Sequence, residues 1–121
     1  MADEPAPRLP RVLAIRAGEG TEAEIDIALD PGLSWFQGHF PGMPILPGVV
    51  QIDWALEFAR RHLGLGIAAA RQFQVKFKAT MAPGDRPTLA LRHDPGRGRL
   101  AFEYRRAGQV CAAGSVTLEA P

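Results

Sequence analysis

The sequence has little cysteine, little net charge and no long hydrophobic run. Its single cysteine, Cys111, cannot form an intramolecular disulfide, which favours a reducing compartment. Fourteen Lys and Arg against thirteen Asp and Glu leave a formal net charge of +1, so bulk charge gives no reason to expect nucleic acid or a membrane as a partner. No stretch approaches the roughly 18 apolar residues of a membrane-spanning helix. The first ten residues lack the basic region and apolar run of a secretory signal, so we expect a cytoplasmic protein.

Metal chemistry has equally little support. The three histidines and Cys111 lack the spacing of metal ligands, so we predict no metal site.

With 121 residues, of which 46% are hydrophobic and 22% charged, the chain has the length and composition of one globular domain. Three prolines and the absence of periodicity predict that residues 1–10 form a flexible leader, which leaves residues 11–119 as the single domain.

The hydrophobic patterns predict six strands and one helix. Residues 49–63 contain no glycine or proline and stop at Gly64, as expected of a helix, and they are apolar on more than one side. Strand patterns, most clearly the alternation of apolar and acidic residues after Thr21, run through residues 12–17, 21–29, 72–78, 89–91, 100–105 and 110–118. One buried helix and six largely hairpin-linked strands predict an α+β fold, with an antiparallel sheet wrapped around a central helix.

The segment before the helix carries the most chemical information. Pro41, Pro44 and Pro47 recur at every third residue, and each restricts its own backbone and that of the residue before it, so the loop is stiff. Pro47 stands at the start of the helix, where a missing N–H costs nothing. Gly48 follows with an unpaired amide at the positive end of the helix dipole, where it can polarise a carbonyl oxygen.

Two ionisable residues flank this helix start. His39 precedes it by nine residues, and Asp53 lies within the helix. A base, an amide donor and a carboxylic acid are the groups needed to remove a proton beside a thioester carbonyl and expel a β-hydroxyl. Taken singly, His39 could be a structural histidine, and Asp53 could belong to a solvated helix face with Glu57 and Arg60.

The run GHFPGMPILPGVVQIDWA resembles the active-site segment of the β-hydroxyacyl-[acyl-carrier-protein] dehydratases, HFPGxPxxPGVLxxEA, which have the hotdog fold. The resemblance continues through VKFKATMAPGDRPTLAL and RLAFEYRRAGQVCAAGSVTL, and so covers about residues 30–118. It implies that His39 and Asp53 are catalytic and that the Gly48 amide binds the thioester carbonyl. It also implies a homodimer or higher homo-oligomer, in which His39 of one subunit faces Asp53 of the other, and a substrate carried on the phosphopantetheine of acyl carrier protein, with no other cofactor.

Two positions depart from the commoner family pattern. Asp53 stands where that branch has Glu, and Glu57 stands where Gln is usual. If Glu57 points into the pocket with Phe40, the two carboxylates would repel each other and favour a protonated acid, whereas a solvent-facing Glu57 would mean little. The segment ILPGVVQIDWA is also similar to the dehydratases of aryl-polyene and related polyketide-like pathways.

Basic residues near the PGD turn are candidates for docking the acidic carrier protein, namely Lys76, Lys78 and Arg86.

The leading hypothesis is a dehydratase that forms trans-α,β-enoyl thioesters in fatty acid or polyketide-like biosynthesis. One alternative is a hotdog thioesterase that activates water with the helix carboxylate and has no use for His39. A second alternative is a non-catalytic acyl-binding subunit, which would tolerate the loss of either ionisable group.

Overall fold

In the part of the chain that the structure describes, six β-strands form one antiparallel sheet around one α-helix. The computed structural model describes residues 6–18, 20–37 and 44–119. The elements are β1 (Arg11–Ala17), β2 (Glu22–Ala28), a 3₁₀ turn (Ser34–Phe36), α1 (Gly48–His62), β3 (Ala69–Phe77), β4 (Thr88–Asp94), β5 (Arg99–Arg106) and β6 (Gln109–Glu119). Neighbouring strands follow the order β1-β2-β4-β5-β6-β3. The predicted α+β class, strand number and central helix are therefore confirmed.

The alternation seen in the sequence becomes the buried face of the sheet. Ile25 of β2 pairs with Leu89 of β4, and Leu89 in turn pairs with Tyr104 of β5. All three side chains are fully buried, while their neighbours along each strand are more exposed. Cross-strand rows of this kind form the surface on which the helix packs.

The helix has one buried face and one open face. Val50, Trp54 and Phe58 are buried against the sheet, at the spacing expected of a single helical stripe. Val49, on the other side, is 70% exposed, so this chain's own sheet does not enclose the helix. The helix ends where the sequence predicted, because Gly64 adopts the left-handed backbone (φ +66°) that follows many helices.

A buried hydrogen bond fixes the start of the helix on the sheet. The hydroxyl of Tyr104 donates to the backbone oxygen of Gln51 at 2.6 Å, and both residues are buried. Burial also raises the pKa of Tyr104 well above its usual value, so the hydroxyl keeps its proton. The first turns of α1 are thereby held at a fixed position relative to β5.

Residues 6–10 of the predicted leader contact the domain. The backbone oxygen of Arg8 accepts hydrogen bonds from the indole N–H groups of Trp35 (2.7 Å) and Trp54 (2.9 Å). The oxygen of Pro7 accepts the N–H of Ser34 at 2.8 Å. Residues 1–5 lie outside the described residues, and the domain boundary stays a prediction. No helix within the described ranges is long and apolar enough to cross a membrane.

Candidate functional site

The start of α1 offers unpaired backbone amides. Pro47 caps the helix with an extended backbone (φ −61°, ψ 145°), and its oxygen accepts the N–H groups of Val50 and Gln51. Within the described residues, the N–H groups of Gly48 and Val49 have no acceptor. These amides stand at the positive end of the helix dipole, so the predicted position of Gly48 in the first turn is confirmed.

The ring of Phe77 lies directly against Gly48. A Cβ atom at position 48 would lie 2.7 Å from Cζ of Phe77 and 3.0 Å from its Cε2, closer than carbon atoms approach in ordinary contact. Phe77 ends the strand β3 and is 52% exposed. Glycine is therefore the residue that lets this aromatic ring rest on the helix start.

A cavity of about 430 Å³ opens beside this contact. Its volume lies within the usual range for small-ligand sites. Backbone hydrogen bonds fix its walls, since the amide of Leu46 donates to the oxygen of Met81 at 2.8 Å and that of Lys78 donates to the oxygen of Cys111 at 2.7 Å. The described residues that line it are Ile45, Leu46, Gly48, Gln51, Phe77, Lys78, Ala79 and Thr80.

Sequence reasoning missed Gln51 and Phe77. Gln51 is only 3% exposed, and its Nε2 donates to the oxygen of Leu46 at 3.2 Å. Its Oε1 is buried and has no hydrogen-bond partner among the residues that the structure describes. The available signal for Gln51 was a polar side chain on the buried helical face that Trp54 also occupies. The contact of Phe77 with Gly48 joins residues far apart in sequence and left no local signal.

Asp53 lies on the open face of α1 and is exposed. Within the described part of the chain it makes no hydrogen bond or ion pair, and it is not among the residues that line the cavity. Among the described residues of one copy, Asp53 and Gly48 therefore do not line the same cavity. The carboxylate has no partner within this part of the chain.

Glu57 forms ion pairs along the helix surface. Its carboxylate lies 3.2 Å from Arg61 and 3.6 Å from Arg60, and its side chain is 34% exposed. Pairs of this kind, three and four residues apart, contribute only a few tenths of a kcal/mol each. Glu57 does not line the described cavity, and its ion pairs correspond to the solvated-face alternative.

His39 and Phe40 lie outside the described residues, so their predicted roles stay predictions. The described segment before them is held locally, because Nε2 of Gln37 donates to the oxygen of Pro31 at 3.0 Å.

Three basic residues were predicted to dock a carrier protein, and all three are exposed. Lys78 also lines the cavity, Lys76 precedes it by two residues on β3, and Arg86 follows the turn before β4.

A larger concavity of about 600 Å³ lies elsewhere, between β1, β2, β4, β5 and β6. Several of its charged side chains form ion pairs with one another, as in the 2.8 Å pair of Arg105 and Glu24. Beside it, hydrogen bonds from Arg16 and Thr88 lower the pKa of Asp26 to about 2. Four of the six charged side chains that line this surface form ion pairs, whereas Glu22 and Arg92 form none among the described residues. Across the described residues, no group of three His, Cys, Asp or Glu side chains could hold a metal ion.

Comparisons with known proteins agree on one family. A family model described as "ApeI-like: ApeI dehydratase" matches residues 15–115. The 3-hydroxyacyl-[acyl-carrier-protein] dehydratase FabZ of Streptococcus equi subsp. zooepidemicus is 30% identical over 91% of this chain and 87% of its own length. The dehydratase heterocomplex ApeI:P from Xenorhabdus doucetiae contains a chain that superposes with a TM-score of 0.81 at 35% identity, covering 90% of this chain and 96% of that one. An uncharacterized protein from Erwinia carotovora subsp. atroseptica superposes with a TM-score of 0.77 at 30% identity, covering 93% and 97%.

Proposed function

This chain belongs to the ApeI-like dehydratase family and is a hotdog-fold dehydratase, and we propose that its substrate is a β-hydroxyacyl thioester on the phosphopantetheine arm of acyl carrier protein. The product would be the trans-α,β-enoyl thioester plus water, in fatty acid or polyketide-like biosynthesis in the cytoplasm. The observation that carries this proposal is the pair of amides at the start of α1 that have no acceptor among the described residues, beside a ligand-sized cavity that Gly48 lines.

The proposed mechanism uses three groups of the dimer, with His39 and Asp53 from opposite chains. His39 removes the α-proton, and the Gly48 N–H donates to the thioester carbonyl oxygen as negative charge develops there. The electrons of the C–H bond form the new double bond, and the bond to the β-oxygen breaks as Asp53 donates a proton to it. Water leaves, and no cofactor beyond the substrate's own phosphopantetheine is needed.

The open surfaces of the chain support assembly as a homodimer. β3 is an edge strand of the sheet, its Phe73 and Phe77 are about half exposed, and Val49 on α1 is 70% exposed. Free strand edges with exposed apolar side chains favour pairing with another chain. In such a dimer Asp53, which has no partner within the described part of its own chain, would meet His39 of the partner chain.

The relative from Xenorhabdus doucetiae is described as a heterocomplex, so the assembly needs its own measurement. We expect sedimentation of the purified chain to give a homodimer or a higher homo-oligomer at micromolar concentration. A folded monomer under those conditions would contradict the proposed homo-oligomer.

An assay of the purified chain on a β-hydroxyacyl thioester separates the three candidate functions. Dehydration creates a conjugated enoyl thioester with a new ultraviolet absorption, and a thioesterase would release a free thiol instead. An acyl-binding subunit would do neither. We expect the absorption to rise with no thiol released.

The catalytic pair can be tested by substitution and subunit exchange. His39→Ala and Asp53→Asn should each lower kcat by about 10²- to 10⁴-fold, the usual range for general acid–base catalysis. Mixing the two inactive variants should restore about half the activity per heterodimer, because one of its two sites then holds both groups. If exchange is confirmed by mass and no activity returns, the site is not shared between subunits.

Carrier docking predicts a difference between two forms of the substrate. Reversing the charge of Lys76 or Arg86, which do not line the described cavity, should raise KM for the carrier-bound substrate and leave a pantetheine thioester nearly unaffected, since only the carrier is acidic. The same change at Lys78, which lines the cavity, should affect both substrates. Arg97→Glu is a matched control, because Arg97 is exposed on the turn at the opposite end of β4. Equal losses with both substrates would reject a docking role.

A further inference from the structure

Gln51 uses all of its hydrogen-bonding groups except one. Its backbone N–H donates to the oxygen of Pro47 at 3.2 Å, and its backbone oxygen accepts the hydroxyl of Tyr104 at 2.6 Å. Its side-chain Nε2 donates to the oxygen of Leu46 at 3.2 Å. These bonds hold the residue in one position and leave Oε1 as its single unpaired group within the described chain.

A buried carboxamide oxygen without a partner is unfavourable. Natural structures contain few such atoms, and each costs the free energy of removing it from water. The neighbours of Gln51 along the helix, Val50 and Ile52, are apolar, so an apolar side chain of similar size is compatible with this turn. An unpaired, buried acceptor on a residue that lines a cavity points to a partner that arrives with the ligand.

Two residues that line the cavity, three positions apart on the same helix, hold a donor and an acceptor without partners among the described residues. The donor is the N–H of Gly48 and the acceptor is Oε1 of Gln51, on residues about 4.5 Å apart along the helix axis. Most of the remaining wall is apolar and includes Ile45, Leu46 and Phe77. A ligand that fits this pattern carries an acceptor and a hydroxyl donor a short distance apart on an otherwise hydrocarbon chain.

A β-hydroxyacyl thioester has that pattern, with its carbonyl oxygen and its hydroxyl on carbons separated by one methylene group. We propose that Oε1 of Gln51 accepts a hydrogen bond from the β-hydroxyl of the substrate and that Gln51 is a specificity-determining residue for hydroxylated acyl chains. This inference rests on the proposed function. The bond engages the hydrogen of the hydroxyl and leaves the lone pairs of its oxygen free for the proton that the acid delivers.

The test compares two ligands that do not react. An amide in place of the thioester makes the α-proton far less acidic, so a β-hydroxyacyl pantetheine amide and the matching saturated acyl pantetheine amide can be titrated at equilibrium. We expect the wild-type protein to bind the hydroxylated ligand about tenfold more tightly, the effect of one hydrogen bond to a buried acceptor. Gln51→Met keeps the volume and removes the acceptor, and should bring this ratio close to one.

The ratio of the two affinities separates recognition from structural damage. Loss of the bond to Leu46 in Gln51→Met affects both ligands alike and cancels in the ratio. Gln37→Met is the matched control, because it removes the same kind of side-chain bond, to the oxygen of Pro31, at a residue that does not line the described cavity, and it should keep the wild-type ratio.

Two outcomes would overturn the inference. Equal affinity of the wild-type protein for both ligands would do so without any variant, and so would a wild-type ratio in Gln51→Met. Dehydration activity distinguishes this failure from failure of the proposed function. A chain that dehydrates β-hydroxyacyl thioesters but does not distinguish the two amides keeps its proposed function and loses the role of Gln51.

Discussion

Adding one methyl group at Gly48 tests the proposed site at its most crowded point. In Gly48→Ala the new Cβ would lie 2.7 Å from Cζ of Phe77, with two further ring carbons at 3.0 and 3.1 Å. To restore an ordinary contact of 3.4 Å, the tip of the ring must retreat by at least about 0.7 Å. Phe77 can do so because it is half exposed at the end of an edge strand.

The stability of Gly48→Ala should therefore change little. Alanine is favoured over glycine in a helix by up to about 1 kcal/mol, and crowding in a packed region costs about 1–3 kcal/mol where neighbours cannot move. Since the crowded neighbour is the movable tip of a side chain, the two effects should nearly cancel. We expect the free energy of unfolding, measured with urea, to stay within about 1 kcal/mol of wild type.

The activity of Gly48→Ala should fall far more than its stability. The methyl group and the displaced ring narrow the approach to the Gly48 amide, which we propose binds the thioester carbonyl. Loss of one such donor typically lowers kcat by about 10²- to 10³-fold. Gly32→Ala is the matched control, because position 32 has open space and no left-handed backbone, and it should keep both stability and activity.

A second variant separates the two causes of the loss. If displacement of the ring caused it, Phe77→Ala alone would be equally inactive, and adding Phe77→Ala to Gly48→Ala would not lower activity further. If the methyl group blocks the amide, Phe77→Ala alone should be the more active single variant. A Gly48→Ala enzyme with nearly wild-type kcat/KM would refute the assignment of this amide to the carbonyl.

Two further predictions concern the sheet. Gly114→Ala should lower the free energy of unfolding by about 1–3 kcal/mol, because the new Cβ would lie 2.7 Å from the backbone oxygen of Gln74. This backbone atom cannot move aside as the ring tip of Phe77 can. An unchanged urea midpoint would contradict the packing argument. Stability should fall as pH drops from about 4 towards 2, since hydrogen bonds from Arg16 and Thr88 lower the pKa of Asp26 in the folded state to about 2 from its ordinary 3.8. In Asp26→Asn, the fall in the free energy of unfolding across that pH range should be smaller by about 1 kcal/mol, a value that allows for the solvent exposure of the ion pair. Urea unfolding at several pH values measures this difference. A pH profile identical to that of the wild type would refute the prediction.

Local patterns were sufficient to predict the architecture. Three local signals each predicted the backbone structure of the residues around them: the alternation around Ile25, the glycine at position 64 and the proline before the helix. The observed strands and helix begin and end within a few residues of the predicted bounds.

Contacts between distant segments could not be predicted in this way. The ring of Phe77 reaches Gly48 across the intervening helix and strand, and the oxygen of Arg8 joins two tryptophans that are themselves far apart in sequence. The register of β3 against β6 shifts between Arg71 and Gln74, where Gln72 adopts a left-handed backbone (φ +56°). A glycine would have indicated such a backbone in advance, and this segment contains none. Each feature depends on which surfaces meet after folding, and a local pattern carries no such information.

The start of α1 shows why the sequence motif alone could not define the role of each of its residues. Gly48 and Gln51 line the cavity, whereas Asp53 lies on the open face of the same helix. The buried face is fixed within one chain by the bond from Tyr104, and the open face has no partner for Asp53 among the described residues. In the proposed mechanism both faces take part in one elimination, with His39 of the partner chain completing the open face. Dimerisation would then be a requirement of the chemistry, and dilution below the dissociation constant of the dimer should abolish activity before it unfolds the chain.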